Sequence, residues 1–325
     1  MGANYVLRRP ATAIFTIVMI VLLNFVLFRA MPGSPERILL GRMPGVTAEA
    51  LQQTRERWGL DKPLFPDQFV AYISSTLQGD LGFSYSARGR PVTEVLGQRL
   101  PPTLLLFGLG EVIAIVAGLA LGAYSGWKRG GVVDYVGNGV SLILYSMPYF
   151  LLGMGLLLVF ATGLGWFPTF GMVTAGATYD SFLDQLLDLG SHLALPLATV
   201  ALGLIGQYAI LMRSSVIETL GDDYVTTGRA MGLKDARVLR HHALPNAMLP
   251  TVTLVAINLG YVVAGAITVE VVFNWPGLGT LTVDALSSRD YPVLQGVFLL
   301  LSVAVVFANL GADLLYGVLD PRVRT

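Results

Sequence analysis

GDDYVTTGRAMGLKDARVLRHHALPNAMLP, residues 221–250, is the longest polar interruption in the second half of an otherwise apolar chain. Together with Arg213 just upstream it carries Arg229, Lys234, Arg237 and Arg240, five of the chain's 21 basic residues. Its punctuation predicts two short helices. Asp222 or Asp223 caps the first by accepting a bond from a free backbone N–H two or three residues on. Gly232 closes it in the left-handed conformation. Asp235 favours the start of the second, and Pro245 disrupts or ends it. Two readings of such a loop are open: a solvated connector that returns the chain, or a docking surface for a cytoplasmic partner.

What flanks the loop decides that it joins membrane spans. The chain of 325 residues is 54% hydrophobic and 13% charged, with a mean hydropathy of +0.65, too apolar for a soluble domain of that length. Apolar stretches near the roughly 20 residues needed to cross a bilayer lie at Ala11–Phe28, Thr103–Tyr124, Val136–Thr162, Leu193–Met212, Thr251–Val271 and Val293–Val318. The first is longer than the h-region of a signal peptide and no A-x-A site follows it, so it reads as an uncleaved span. Pro148 kinks the third, and Pro196 lies near the start of the fourth. Residues 31–99 are water-compatible, with eight basic and seven acidic residues. There Trp58, Phe65, Phe69 and Tyr72 offer a small core that rests on the membrane part.

Orientation follows from charge in the short loops. Arg8, Arg9, Lys128, Arg129, the five bases of the central loop, Arg322 and Arg324 make eleven on one side, whereas the opposite loops 163–192 and 273–294 hold Arg289 alone. The expected organisation is a cytoplasmic N-terminus and first helix (1–30), an extracytoplasmic domain (31–99), a five-helix core (100–318) with a cytoplasmic loop at 213–250, and a cytoplasmic tail (319–325). The fold class is all-α integral membrane, with six transmembrane helices and an extracytoplasmic insertion after the first.

Chemistry is excluded more readily than assigned. A net charge of zero gives no footprint for nucleic acid, and with no cysteine there is no thiolate nucleophile or cysteine metal site. None of Lys62, Lys128 and Lys234 follows a glycine, so no phosphate-cradling G-x-x-x-x-G-K-[ST] loop exists. His241 and His242 fall on the cytoplasmic loop and His192 near the outer face, which forbids one metal cluster. Glu111 is an acid deep in a span, where an ionised carboxylate costs roughly 2.5–3.5 kcal/mol. It must face the bundle, a wet path or be protonated. Asn24, Gln207 and Asn258 raise the same choice, and interhelical hydrogen bonds are the expectation. In the last external loop Pro276, Gly277 and Gly279 make a turn and Asp290 starts the sixth span. This is either a structured hairpin or a gate or receptor-contact loop.

The central loop resembles that of ABC-importer permeases, whose pattern is E-A-A, three residues, G, nine residues, I-x-L-P. Gly232 fits the glycine, and Leu244 and Pro245 fit the end. Thr226, Thr227 and Gly228 replace E-A-A, and His242 replaces Ile. These departures match the dipeptide and oligopeptide branch, similar to DYVxTARAxGL, against DYVTTGRAMGL at Asp223–Leu233 here. FRAMPGSPE, WGLDKPL, GDLGFSYS, RLPPTLLL, the Pro148 and Pro196 sites, VFxxPGLGxL…RDYPxxQG and the closing DPRVR resemble the same branch.

The resemblance implies a type I ABC-importer permease subunit in a bacterial inner membrane that forms half of a pathway by alternating access. It implies as partners a second homologous permease, two cytoplasmic ATPases or one fused pair, and an extracytoplasmic substrate-binding protein. ATP and Mg would sit on the ATPases, with no cofactor on this chain. Asp223, Tyr224, Thr227, Gly228, Arg229, Ala230, Gly232, Leu244 and Pro245 are then the ATPase-coupling residues. Relatives that carry nickel, glutathione or other solutes leave the substrate open. An ion-coupled secondary transporter would want a carboxylate relay and inverted repeats, and a membrane enzyme would want a paired nucleophile and base; neither pattern is visible.

Overall fold

The computed structural model describes residues 3–30, 52, 62–87, 89–264 and 267–319. Trp58, part of the expected small core, and the tail 320–325 lie outside them. The described residues are helical apart from turns and one isolated antiparallel bridge, Phe83 to Pro91. The long helices are α1 (Ala3–Ala30), α3 (Val92–Trp127), α6 (Phe182–Thr219), α9 (Leu244–Ala264) and α12 (Tyr291–Leu319). Between them lie α2 (Phe69–Leu77), α4 (Val132–Ser146), α5 (Tyr149–Leu156, continued as a π-helix to Gly163), α7 (Asp223–Ala230), α8 (Asp235–Val238), α10 (Ile267–Val272) and α11 (Leu278–Ser287).

Segments of α1, α3, α6 and α12 are each long and apolar enough to cross a membrane. The α4–α5 pair passes the same test as a unit, bent by 105° at Ser146–Pro148. Pro148 is the physical cause, since it withholds an N–H from the ladder and biases the residue before it away from helix. α1, α3, α6 and α12 exceed the apolar stretches read from sequence because their polar ends are helical too. α3 begins at Val92 and passes unbroken through position 100, so Val92–Arg99 are its first turns rather than part of a separate domain.

The bundle is organised on α3 and α6, which run parallel. Gly110, Gly118, Gly122 and Gly126 of α3 lie against Val200, Tyr208, Ala209 and Val216 of α6 in rising order. Ala114, fully buried, continues the stripe. Small residues every fourth position let two apolar helices approach closely where no hydrophobic force drives them together. α4 and α5 return along α6 in the opposite sense. Asp134 meets Arg213, Tyr145 meets Gly206, Tyr149 meets Gly203 and Gly153 meets Thr199. α9 and α10 also run against α6, from Ala247 beside Val216 through Asn258 beside Tyr208 to Phe273 in one cluster with Val200.

At the end of the bundle opposite the α7–α8 loop, Val92 and Leu96 of α3 pack with Leu278, Leu281 and Ala285 of α11 and Val293, Leu294 and Val297 of α12. The water-compatible region rests on the membrane part as its size required. Phe65, Phe69 and Tyr72 gather on Phe25 of α1, with centroids at 5.6, 5.2 and 5.4 Å. Asn24 makes the interhelical bond expected of it, donating to the Gln295 carbonyl of α12 at 3.1 Å.

Candidate functional site

Three sets of residues are candidates: the two-helix loop, a polar network inside the bundle, and the hairpin between α10 and α12.

The loop folds as two short helices. Asp222 occupies the N-cap position with extended backbone, although its side chain makes no capping bond, and Asp223 lies in the first turn, where its charge suits the helix dipole. Gly232 has φ +79°. Its N–H reaches the Arg229 carbonyl at 2.9 Å while Leu233 N–H reaches Gly228 at 3.3 Å, closing α7. Val225, Gly228 and Val238 are buried between the helices. Gly228 therefore packs inward and does not belong to a small-residue outer surface. Asp223, Tyr224, Thr227, Arg229 and Ala230 are exposed, as is Met231 at 71%. Pro245 is the second residue of α9 and directly follows a π-helical turn, Leu239–Ala243; the helical backbone runs on through Leu244, so Pro245 does not end the helix. Leu244 packs beside Met212, Val216 and Ala247 at the foot of the bundle.

Within the bundle, Tyr208 joins the polar residues nominated from sequence. Its hydroxyl donates to the buried Glu111 carboxylate and accepts from Asn258 Nδ2 at 3.0 Å. Asn258 Nδ2 also lies 3.4 Å from Gln207 Oε1. One hydroxyl thus links α3, α6 and α9 at a single level. Tyr208→Phe removes both bonds and leaves the acid without that donor. A stability loss of about 1–3 kcal/mol is expected, seen as a lower Tm of the detergent-solubilised chain; an unchanged Tm would show that the link carries no stability.

The hairpin between α10 and α12 is built on Glu270, a fully buried acid. Its carboxylate accepts from Thr103 Oγ1 at 2.7 Å, Gly279 N–H at 2.7 Å and Thr280 N–H at 3.2 Å. Leu278 N–H donates to Thr103 Oγ1 at 2.8 Å and the Trp275 indole to the Pro102 carbonyl at 2.9 Å. The carboxylate fills the space a Cβ on Gly277 would occupy, 2.3 Å from Oε1, which explains that glycine. Gly277, Gly279 and Asp290 are buried; they shape the hairpin and are not an open contact surface, while Pro276 is half-buried. Asp290 accepts from Ser84 Oγ at 2.6 Å, Ser86 Oγ at 2.6 Å and Ser86 N–H at 2.8 Å, so it pins the segment before α3 as it starts α12. Near the start of α6, Asp188 accepts from Tyr179 and Thr174 of the preceding loop, each at 2.6 Å. That carboxylate raises the Tyr179 pKa.

Sequence reading missed Glu270, Tyr208, Thr103 and Trp275. Glu270 stands at the border of an apolar run, where an acid reads as solvent-facing, and Tyr208 looks like core. Their only signal was position, opposite other polar residues at the same depth.

The described helices form a bundle with a folded two-helix loop at one end and a stapled hairpin at the other. Residues 118–325 match the family described as "Binding-protein-dependent transport system inner membrane component", and residues 3–107 match its N-terminal companion, "Binding-prot-dependent transport system membrane comp, N-term". A putative peptide permease protein of Brucella suis biovar 1 is 38% identical over 321 residues, 99% of each chain. A glutathione transport system permease protein of Salmonella choleraesuis is also 38% identical, over 99% of each chain. Among solved structures, the inward-facing MetNI methionine ABC transporter shares the fold, with TM-score 0.56 and 18% identity over 70% of this chain and 96% of that one. The chain belongs to the binding-protein-dependent transport permeases and is a membrane-spanning permease subunit of an ABC importer.

Proposed function

We propose that this permease carries oligopeptides or dipeptides, crosses the membrane six times with both termini in the cytoplasm, and forms half of a pathway with a second homologous permease. The α7–α8 loop is this subunit's docking site for the ATPases, two subunits or one fused pair in the whole importer, which supply hydrolysis, and an extracytoplasmic binding protein delivers the substrate. The observation that carries the reading is the loop: a closed two-helix unit with exposed Tyr224, Thr227 and Met231, seated at the foot of α6 and α9. The contact order of α4–α5 and of α9–α10 along α6 supports two return crossings. With α1, α3, α6 and α12 they make six. The relatives named peptide permease support peptides. The equally similar glutathione permease favours a second reading, glutathione, a tripeptide-like solute of the same chemistry.

The test is uptake by the four-component transporter in proteoliposomes, with labelled dipeptide, oligopeptide or glutathione presented on its binding protein. Uptake is expected only with ATP on the face that carries Arg229 and Arg237 and with the binding protein on the opposite face. Uptake by this chain without ATPases, driven by an ion gradient, would refute the proposal. Uptake of glutathione with exclusion of other peptides would select the second reading.

A further inference from the structure

Two contacts of opposite strength tie the cytoplasmic end of the bundle together. Arg213, near the end of α6, holds Asp134 of α4 through Nε at 2.5 Å and Nη2 at 2.9 Å. Asp134 is buried and also accepts the Gly130 N–H at 2.9 Å. A two-pronged guanidinium–carboxylate pair is the strongest class of side-chain hydrogen bond and fixes geometry. Arg229 of α7 differs. Its guanidinium lies 5.8 Å from the centroid of the Trp127 ring, and its Nε is 3.4 Å from Asp235 of α8, with side-chain exposures of 45% and 71%. Exposed ion pairs hold little, and a cation over a flat ring keeps its attraction over a range of positions. Under load the first contact persists and the second slides.

Trp127 is the last residue of α3. Its neighbour Gly126 lies against the Arg213 carbonyl and Val216 of α6, where an added Cβ would stand 2.9 and 3.0 Å away. α3 and α6 therefore move as one body at this end, and whatever displaces α3 displaces α6.

We propose that Trp127 is a positioning residue for transport: it takes up movement of α7 through Arg229 and passes it into the α3–α6 pair. This rests on the reading of the loop as the ATPase docking surface. The indole supplies a broad face over which the guanidinium travels without letting go. An aliphatic side chain offers bulk there but no quadrupole to hold a cation.

The experiment uses the assembled transporter in proteoliposomes and reads three quantities: ATPase subunits retained on purification, ATP hydrolysed, and peptide taken up. Trp127→Leu is expected to retain its ATPases and to consume about twofold to fivefold more ATP per peptide, the factor an exposed cation–π contact is worth. Trp127→Phe is expected to restore most of the ratio. Arg229→Gln breaks the contact from the exposed side without touching α3 and is expected to show the same loss. Trp127→Leu combined with Arg229→Gln is expected to be no worse than Arg229→Gln alone, as two ends of one interaction require. A wild-type ratio in either single variant, or multiplicative losses in the double, overturns the proposal. Loss of ATPases from Trp127→Leu also overturns it, since Trp127 would then belong to the docking surface. Failure of the underlying reading shows separately, as ATPases that stay bound when α7 and α8 are distorted at Gly232.

Discussion

Replacing Glu270 with alanine is expected to cause the largest stability loss of any single polar substitution discussed here. The variant strands Thr103 Oγ1–H and the Gly279 and Thr280 N–H groups, all buried and all now satisfied by one carboxylate. Each buried donor left without a partner costs roughly 1–3 kcal/mol, so the total for the three is about 3–9 kcal/mol before the void is counted. The damage spreads because Thr103 also receives the Leu278 N–H, and α11 starts at that residue. Glu270→Gln separates charge from hydrogen bonding. Its amide oxygen accepts from Gly279 and Thr280 while its NH2 faces Thr103, so a smaller loss is expected. The check is the Tm of both variants in one detergent. A wild-type Tm for Glu270→Ala would mean that the hairpin is not held by this carboxylate.

Gly122→Ala is the second. A Cβ at Gly122 would stand 2.4 Å from the Ala209 carbonyl oxygen, 2.8 Å from Met212 Cβ and 3.0 Å from Ala209 Cα. Two of those three neighbours are backbone, so the helices themselves must part. Forcing a methyl group into a packed contact costs roughly 1–3 kcal/mol, and here it also displaces the contacts that continue along α3. Gly108 is the internal control: it lies in the same helix, and nothing comes within 4 Å of its Cβ position. Gly108→Ala is expected to be neutral or to stabilise by up to about 1 kcal/mol, because alanine is the better helix former. The pair of Tm values decides the matter. Equal values for Gly122→Ala and Gly108→Ala would show that α3 and α6 are not in close packing.

The sequence displayed the fold where a single residue type dictates local geometry. Gly232 takes the left-handed conformation expected of it, Pro148 breaks the third apolar stretch, and Asp290 sits at the start of α12. It displayed the polar interior in part. Glu111, Gln207 and Asn258 were singled out because polar atoms in an apolar run must find partners. Tyr208, which joins them, was hidden because a tyrosine is mostly hydrocarbon. Glu270 was hidden for a different reason. The apolar run around it reads as a span that ends at Val271, whereas the hairpin that follows folds back onto the acid. Such tertiary closure depends on Thr103, 167 positions away, and no local pattern encodes it.

The central claim is that the α7–α8 loop is the place where the ATPases grip this subunit, and Gly232 offers the most direct access to it. Gly232 has positive φ and open space around its Cβ position, so a substitution there acts through backbone strain and not through a clash. Gly232→Val imposes roughly 1–2 kcal/mol of left-handed strain, enough to shift a docking equilibrium by about tenfold. Gly232→Asn carries little of that strain, because asparagine visits this region readily. The helices long and apolar enough to cross a membrane lie elsewhere, so both variants are expected to insert in wild-type amounts. The measurement is co-purification of the ATPase subunits with each variant, from membranes that contain all the partners. The account predicts ATPases largely lost from Gly232→Val and retained by Gly232→Asn. A wild-type complement of ATPases on Gly232→Val would contradict it and leave the loop a solvated connector.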